Sequence, residues 1–216
     1  MPTINEKIMT QIKETFKDLK NPVKLVVFTQ EFECLYCEEN RNLIQNIVKA
    51  SPLLSVEVFD FVKNQDKVKE YGIEMIPAIV VKGEKDYGIR FFGIPGGYEF
   101  ISLIEAIKMV GTGESGLSTM TKTMLKKVRK PMDIKVFVTL TCPYCPPAVA
   151  MAQKFAFEND LIRANMVESS QFVPLSNKFR VYAVPKIVIN DSIEFEGSVP
   201  EEKFLEQVVK AYSITK

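Results

Sequence analysis

All four cysteines of the chain fall into two pairs of the same spacing, Cys34-Leu35-Tyr36-Cys37 and Cys142-Pro143-Tyr144-Cys145. A proline follows the first cysteine of each pair after 43 residues, at Pro77 and Pro185, and the two copies are offset by 108 residues. Two thiols three residues apart suit one reaction above others. A thiolate attacks a disulfide where a neutral thiol does not. A second thiol one helical turn away then resolves the mixed disulfide. A helix N-terminus at the first cysteine would favour its negative charge through unpaired N–H groups and the dipole. No histidine is needed, and the chain has none.

Two other chemistries use cysteine pairs. A structural disulfide framework spaces its cysteines more widely and is disfavoured in a cytosol. A zinc site needs four ligands, which here means all four cysteines. Zinc ribbons separate their pairs by roughly 15–20 residues, whereas 104 residues lie between Cys37 and Cys142. The spacing favours two separate redox sites.

The elements that must position these residues recur in the same order. In the first half a helical pattern (Ile4, Ile8, Ile12, Phe16, Leu19) ends at Asn21-Pro22. A strand is expected at Val23 to Thr29, then a helix opened by the cysteine pair, with Leu43, Ile44, Ile47 and Val48 inward. A strand at Leu54 to Phe61, a short helix at Asn64 to Tyr71, a hairpin of Pro77 to Lys82 with Tyr87 to Phe92, and a helix at Gly97 to Val110 follow. The second half repeats this. A helix at Leu117 to Arg129 precedes a strand at Ile134 to Thr139 and the second cysteine helix, with Val149, Ala152, Phe155 and Ala156 inward. Then come a strand at Ile162 to Glu168, a short helix ending near Arg180, a hairpin turning at Asn190-Asp191, and a helix from Pro200 to Tyr212. Strands joined by a helical crossover pair in parallel and a hairpin pairs antiparallel, so each half implies a mixed sheet.

The chain has 216 residues, which accommodates two domains of about 100. Gly111-Thr112-Gly113-Glu114-Ser115-Gly116 reads as a flexible boundary, dividing the chain into 1–112 and 113–216. A net charge of +1 without a strongly basic block argues against nucleic acid. No apolar run approaches a membrane span, and the N-terminus lacks a signal-peptide pattern, so a cytoplasmic location is expected. The basic run Lys122, Lys126, Lys127, Arg129 and Lys130 reads as a solvated helix face. Gly93-Ile94-Pro95-Gly96-Gly97 lacks phosphate-cradle spacing and reads as a tight loop.

An X-Pro bond at a strand start can be cis, which would turn the backbone of Ile76 or Val184 toward the cysteines. That main chain could then accept an extended peptide by strand addition.

Each half resembles a thioredoxin or glutaredoxin unit, and Cys142-Pro143-Tyr144-Cys145 is identical to the glutaredoxin C-P-Y-C motif. Over essentially its whole length the chain resembles the protein disulfide oxidoreductase family of thermophilic archaea and bacteria. The resemblance implies an α/β fold of two tandem thioredoxin-fold units, each a mixed four-stranded sheet flanked by helices. It implies that Cys34 and Cys142 are nucleophiles and that Cys37 and Cys145 resolve. It makes Pro77 and Pro185 the cis prolines. Gly93 and Gly197 would end the hairpin beside the substrate groove, with Ile76, Val184, Tyr36 and Tyr144 lining it. The implied activity is reduction, formation or isomerisation of protein disulfides. No bound cofactor and no metal are expected. The implied partners are protein disulfides and an NADPH-dependent flavoprotein thioredoxin reductase. Electron donation to a peroxidase, or glutathione-linked glutaredoxin activity, is the alternative within the same chemistry; a zinc-binding or redox-inert scaffold is the non-enzymatic one.

Three departures from thioredoxin stand out. Its tryptophan before the active pair is replaced by Glu33 and Thr141. Its buried acid on the preceding strand has no counterpart among Val26, Val27 and Phe28 or Val136 and Phe137, so no side chain is assigned to take the resolving thiol's proton. Pro146-Pro147 opens the second cysteine helix, where a bend is expected. Finally, Glu31, Glu33, Glu38 and Glu39 flank Cys34, while Val138 through Ala150 carry no charge. Neighbouring carboxylates disfavour a thiolate, so Cys142 is expected to be the stronger nucleophile and its pair the more oxidising.

Overall fold

Strands as apolar as Val23–Thr29 require cover on both faces, and they receive it. The computed structural model describes residues 4–214. In chain order the elements are α1 (Glu6–Thr15), β1 (Val23–Thr29), α2 (Cys37–Ile47), β2 (Leu54–Asp60), α3 (Gln65–Tyr71), β3 (Ala78–Lys82), β4 (Asp86–Phe92), α4 (Glu99–Thr112), α5 (Thr119–Leu125), β5 (Met132–Val138), α6 (Cys145–Glu158), β6 (Ile162–Glu168), α7 (Val173–Lys178), β7 (Lys186–Ile189), β8 (Ile193–Glu196) and α8 (Glu201–Ile214).

The ends differ from the sequence expectation where side chains cap. Asn5 Oδ1 accepts the Ile8 N–H at 2.9 Å, so α1 starts at Glu6 rather than Ile4. Ser118 Oγ accepts the Thr121 N–H at 3.2 Å and starts α5, which stops at Leu125, short of the expected Arg129. The helix α6 runs unbroken through Pro146 and Pro147, because the first turn needs no intrahelical N–H donors.

The strands form one sheet in the order β2-β1-β3-β4-β6-β5-β7-β8. Within each half the crossover pairs are parallel and the hairpins antiparallel. The halves join through β4 and β6, which pair in parallel from Ile89↔Ala164 to Phe92↔Val167. Each half thereby covers a free edge of the other, and eight strands become continuous.

Alternation along β1 sorts its residues to two layers. Leu25 and Val27 pack with Ile44, Ile47 and Leu103 in a core that continues through both halves to Phe155 and Phe204. Val26 and Phe28 face a smaller core with Val68, Tyr71, Phe137 and Phe179 under α3 and α7. Each fully buried Leu, Ile or Phe contributes roughly 1.5–3 kcal/mol, so the larger, shared layer binds the halves most strongly.

The glycine-rich segment between the halves is tied down. The N–H groups of Lys20 and Asn21 both donate to Gly111 O at 2.9 Å. Ser115 is buried and its hydroxyl donates to Glu158. Among the described residues no helix is long and apolar enough to cross a membrane.

Candidate active site

Because β1 and β5 run in the same direction, the two cysteine pairs open on the same edge of the sheet. Three strands stand between β1 and β5, giving four spacings of about 4.8 Å, or about 19 Å. Cys34 is bonded to Cys37 and Cys142 to Cys145, with Cα–Cα distances of 5.4 and 5.5 Å. The second cysteine, not the first, is the first helical residue in both. Cys34 and Cys142 lie in the preceding turn, where their carbonyls accept from Cys37 N at 3.4 Å and Cys145 N at 3.5 Å. Neither Tyr36 nor Tyr144 caps its helix with a side chain; the first turn of α2 keeps the Glu38 and Glu39 N–H groups, whereas Pro146 and Pro147 leave α6 with none at the equivalent positions. The outer cysteine is the more accessible in each pair; Cys37 and Cys145 are buried.

The peptide bonds Ile76–Pro77 and Val184–Pro185 are cis. At the second site the proline loop meets the disulfide directly: Cys142 Sγ lies 3.7 Å from the carbonyl oxygen of Val184. At the first site the pairing of Phe28 with Ala78 sets Pro77 beside the loop leaving β1.

A buried cation holds the helix that leads into each proline loop. Arg90, 1% exposed, donates from Nε and Nη2 to Tyr71 O at 3.2 and 3.1 Å, at the end of α3, and is itself paired to Asp86. Arg163 reaches across from the second half to Gly72 O at 3.3 Å. Under α7, Lys186 Nζ donates to Phe179 O at 2.6 Å and pairs with Glu194 at 2.7 Å. Cations at helix C-termini are favourable partners of the carbonyl dipole. Sequence reading passed over these cations; a charged residue inside an apolar strand run, as in Gly88-Ile89-Arg90-Phe91-Phe92, was the signal.

The surroundings of the two sites differ. Phe32, Leu35 and Val62 are exposed near the first, together with Glu31, Glu33, Glu38 and Glu74. Around the second, Tyr144, Tyr182 and Tyr98 are exposed and the rim is aromatic. Tyr36, by contrast, is half-buried. Gly93 is buried, and Gly197 has open space where a side chain would stand. A cavity of about 710 Å³ between the segment after α1, α4 and α6 contains no cysteine.

Glu99 is the site residue that the sequence reading missed. The helices α4 and α6 both begin at the active edge and pack together. Tyr98 N–H donates to Leu140 O at 3.0 Å, two residues before Cys142. Along α4, Glu99 and Ser102 share a stripe with Ala106 and Met109, which line one crevice with Ala150 and Gln153 of α6. Glu99 therefore stands at the start of α4, on the face that α4 turns to α6 and one residue after the Tyr98–Leu140 hydrogen bond. It is 0% exposed, accepts the Ser102 hydroxyl at 2.6 Å through Oε2, and has no partner for Oε1. Burial pushes its carboxyl up to about 7, against the opposing hydrogen bond from Ser102. An acid on the apolar stripe of the helix was the available signal.

Among the described residues no group of three or more His, Cys, Asp or Glu side chains could hold a metal ion. Fold and site together define a thioredoxin-fold protein with two dithiol–disulfide centres. The thioredoxin-domain family model matches residues 132–210. A protein disulfide oxidoreductase from Aeropyrum pernix is 32% identical, covering 99% of this chain and 95% of its own, with a TM-score of 0.93. The chain belongs to the protein disulfide oxidoreductase family. The alkylhydroperoxide reductase AhpF of Enterococcus faecalis is 28% identical over 94% of this chain and 97% of the solved one, at TM-score 0.87. The corresponding alkyl hydroperoxide reductase protein from Pseudomonas aeruginosa is 28% identical over 123 residues, 57% of this chain. This chain spans about a quarter to a third of the length of such curated relatives, 24% of that one and 34% of the one from Staphylococcus aureus.

Proposed function

We propose that the chain exchanges disulfides with protein substrates, reducing, forming or isomerising them through two independent cysteine pairs carried by units 1–112 and 113–216. Cys34 and Cys142 attack; each forms a mixed disulfide with a substrate sulfur and releases the other substrate sulfur as a thiolate. Cys37 and Cys145 then attack Cys34 or Cys142, freeing the substrate and closing the internal disulfide. Two electrons pass to the substrate, and the cysteine protons pass to the departing thiolates. Pro77 and Pro185, with Ile76, Val184, Gly93, Gly197, Tyr36 and Tyr144, are assigned to the peptide grooves. The 3.7 Å approach of Val184 O to Cys142 Sγ carries this reading, because it brings main chain of the loop before β7 against the reactive sulfur. At the second site Glu99 takes the proton of Cys145.

The electron source is a flavoprotein reductase using NADPH, and the compartment is the cytoplasm. Donation to a peroxidase is the second reading, favoured by the similarity to the alkyl hydroperoxide reductase proteins. Insulin-disulfide reduction by variants carrying one intact pair tests the assignment. Each single-site form is expected to reduce insulin and the form with neither pair to be inert. Activity in the form lacking all four cysteines would remove the proposal. Supplying glutathione or a flavoprotein reductase as the reductant distinguishes the two electron sources.

A further inference from the structure

Among the described residues the buried acids are Glu99 and Glu168, and neither lies on β1 or α2, yet the same problem of a buried resolving sulfur arises at the first pair. Cys37, Asn40, Ile44 and Ile47 form one buried stripe of α2 facing the sheet. Helical side chains lean toward the N-terminus, so the Asn40 side chain covers the turn that begins with Cys37. Asn40 is 0% exposed, and neither its Oδ1 nor its Nδ2 has a hydrogen-bond partner. From the sheet side, Thr29 follows Leu25 and Val27 on the same face of β1, and its buried Oγ1 is also without a partner. Three unpaired polar atoms thus lie on the buried stripe of α2 and the same face of β1 that carries its core residues, the layer to which the buried Cys37 also belongs. Leaving such groups unmatched is costly, and structures that keep them use them.

We propose that the Asn40 amide, helped by the Thr29 hydroxyl, donates hydrogen bonds to the Cys37 thiolate and so makes Cys37 a competent resolving nucleophile. The inference rests on the proposed function and adds the residues that run its second step at the first site. In that step Cys37 loses its proton and attacks Cys34 Sγ. The bond between Cys34 and the substrate sulfur breaks, and the departing substrate thiolate takes up a proton. Neutral donors stabilise the anion without themselves ionising. The second site solves the problem in another way: Ala148 occupies the position equivalent to Asn40, and the polar group arrives on α4 as Glu99.

The test uses full-length reduced protein with Cys142→Ser and Cys145→Ser, mixed with a chromogenic aromatic disulfide. Cys34 releases one coloured thiolate and Cys37 releases a second on resolution, so the two steps are read apart. Asn40→Leu is expected to slow the second phase about tenfold at pH 7 and raise its pH midpoint by about one unit, leaving the first phase unchanged. Asn40→Ser, which keeps a donor, recovers most of the rate. Thr29→Val moves the midpoint the same way by less, and carries the test if Asn40→Leu does not fold. An unchanged midpoint in Asn40→Leu and Thr29→Val, or no recovery with serine, overturns the inference. Absence of both phases in the parent would instead overturn the proposed function.

Discussion

Glu168 occupies the space that a side chain on Gly93 would need: a Cβ built on Gly93 would stand 2.7 Å from Glu168 Cβ. The carboxyl end of β6 thus packs onto the end of the first hairpin, where Gln171 Oε1 also accepts the Ile94 N–H at 3.2 Å. Gly93 has φ 92° and Gly197 φ 84°, so both backbones favour glycine, but only Gly93 is hemmed in. Gly197→Ala is expected to cost about 1 kcal/mol from backbone strain alone. Gly93→Ala adds overpacking and is expected to cost about 2–4 kcal/mol. Urea unfolding of both variants measures the difference; equal losses would contradict the close approach.

With Glu99 as the proposed proton acceptor, the second site would acquire a pH dependence. Its folded-state value of about 7 lies above the ordinary 4.5, so the neutral carboxyl is the form the fold prefers. That contribution is complete below about pH 4.5 and is lost as pH rises through 7. Above it the buried charge costs roughly 3 kcal/mol. Glu99→Gln is expected to remove this loss, raising thermal stability at pH 9 relative to the parent but not at pH 5. In protein retaining only Cys142 and Cys145, the same change should abolish the limb near pH 7 in the resolving step. A limb that survives would dismiss Glu99 as the proton acceptor.

Arg90 supports the first proline loop through Tyr71 O. Arg90→Met leaves three carbonyl bonds unmade, two to Tyr71 O and one to Ile89 O, and Asp86 without its partner, an expected loss of about 2–4 kcal/mol. Burial alone would raise the Asp86 carboxyl, but the Arg90 hydrogen bonds and charge prevail and hold it low. A lowered acid contributes stability above its unfolded value of 3.8 and loses it as pH falls through the folded value. The parent should therefore lose more stability than Arg90→Met on acidification below about pH 4. Thiol reactivity at Cys34 should change while that at Cys142 does not; equal effects would mean general loosening.

Cys142 is expected to ionise at lower pH than Cys34. Glu74, on the loop before Pro77, adds a fifth exposed or half-exposed carboxylate to the four read from the sequence around Cys34. Thiolate absorbance titration of Cys37→Ser and Cys145→Ser checks the order. Added salt should narrow the gap, because exposed charges are screened over about 8–10 Å. The reverse order would show that local charge does not control these thiols.

Local patterns carried most of this architecture. Strand and helix order, the parallel crossovers and both cysteine pairs follow from spacing and alternation over short stretches of chain. Three features did not, and each depends on contacts between distant segments. Nothing in Ile89-Arg90-Phe91-Phe92 says that β4 will pair with β6 rather than face solvent. Glu99 reads as an ordinary first-turn acid until α4 is seen against α6. Asn40 reads as a helix-surface amide until its stripe is counted with Cys37, Ile44 and Ile47.

The parallel joining of β4 to β6 has a consequence for polypeptides larger than a peptide. It puts the two cysteine-bearing strand ends on one edge of the sheet, four strand spacings or about 19 Å apart across it. An extended chain rises about 3.4 Å per residue, so roughly six residues bridge that gap. A substrate tethered at one cysteine therefore presents a second one to the neighbouring pair at a local concentration set by its own tether, in the millimolar range for short flexible segments. Toward chains with cysteines at such intervals the molecule would act as a chelate, and toward closely spaced cysteines as two separate reagents.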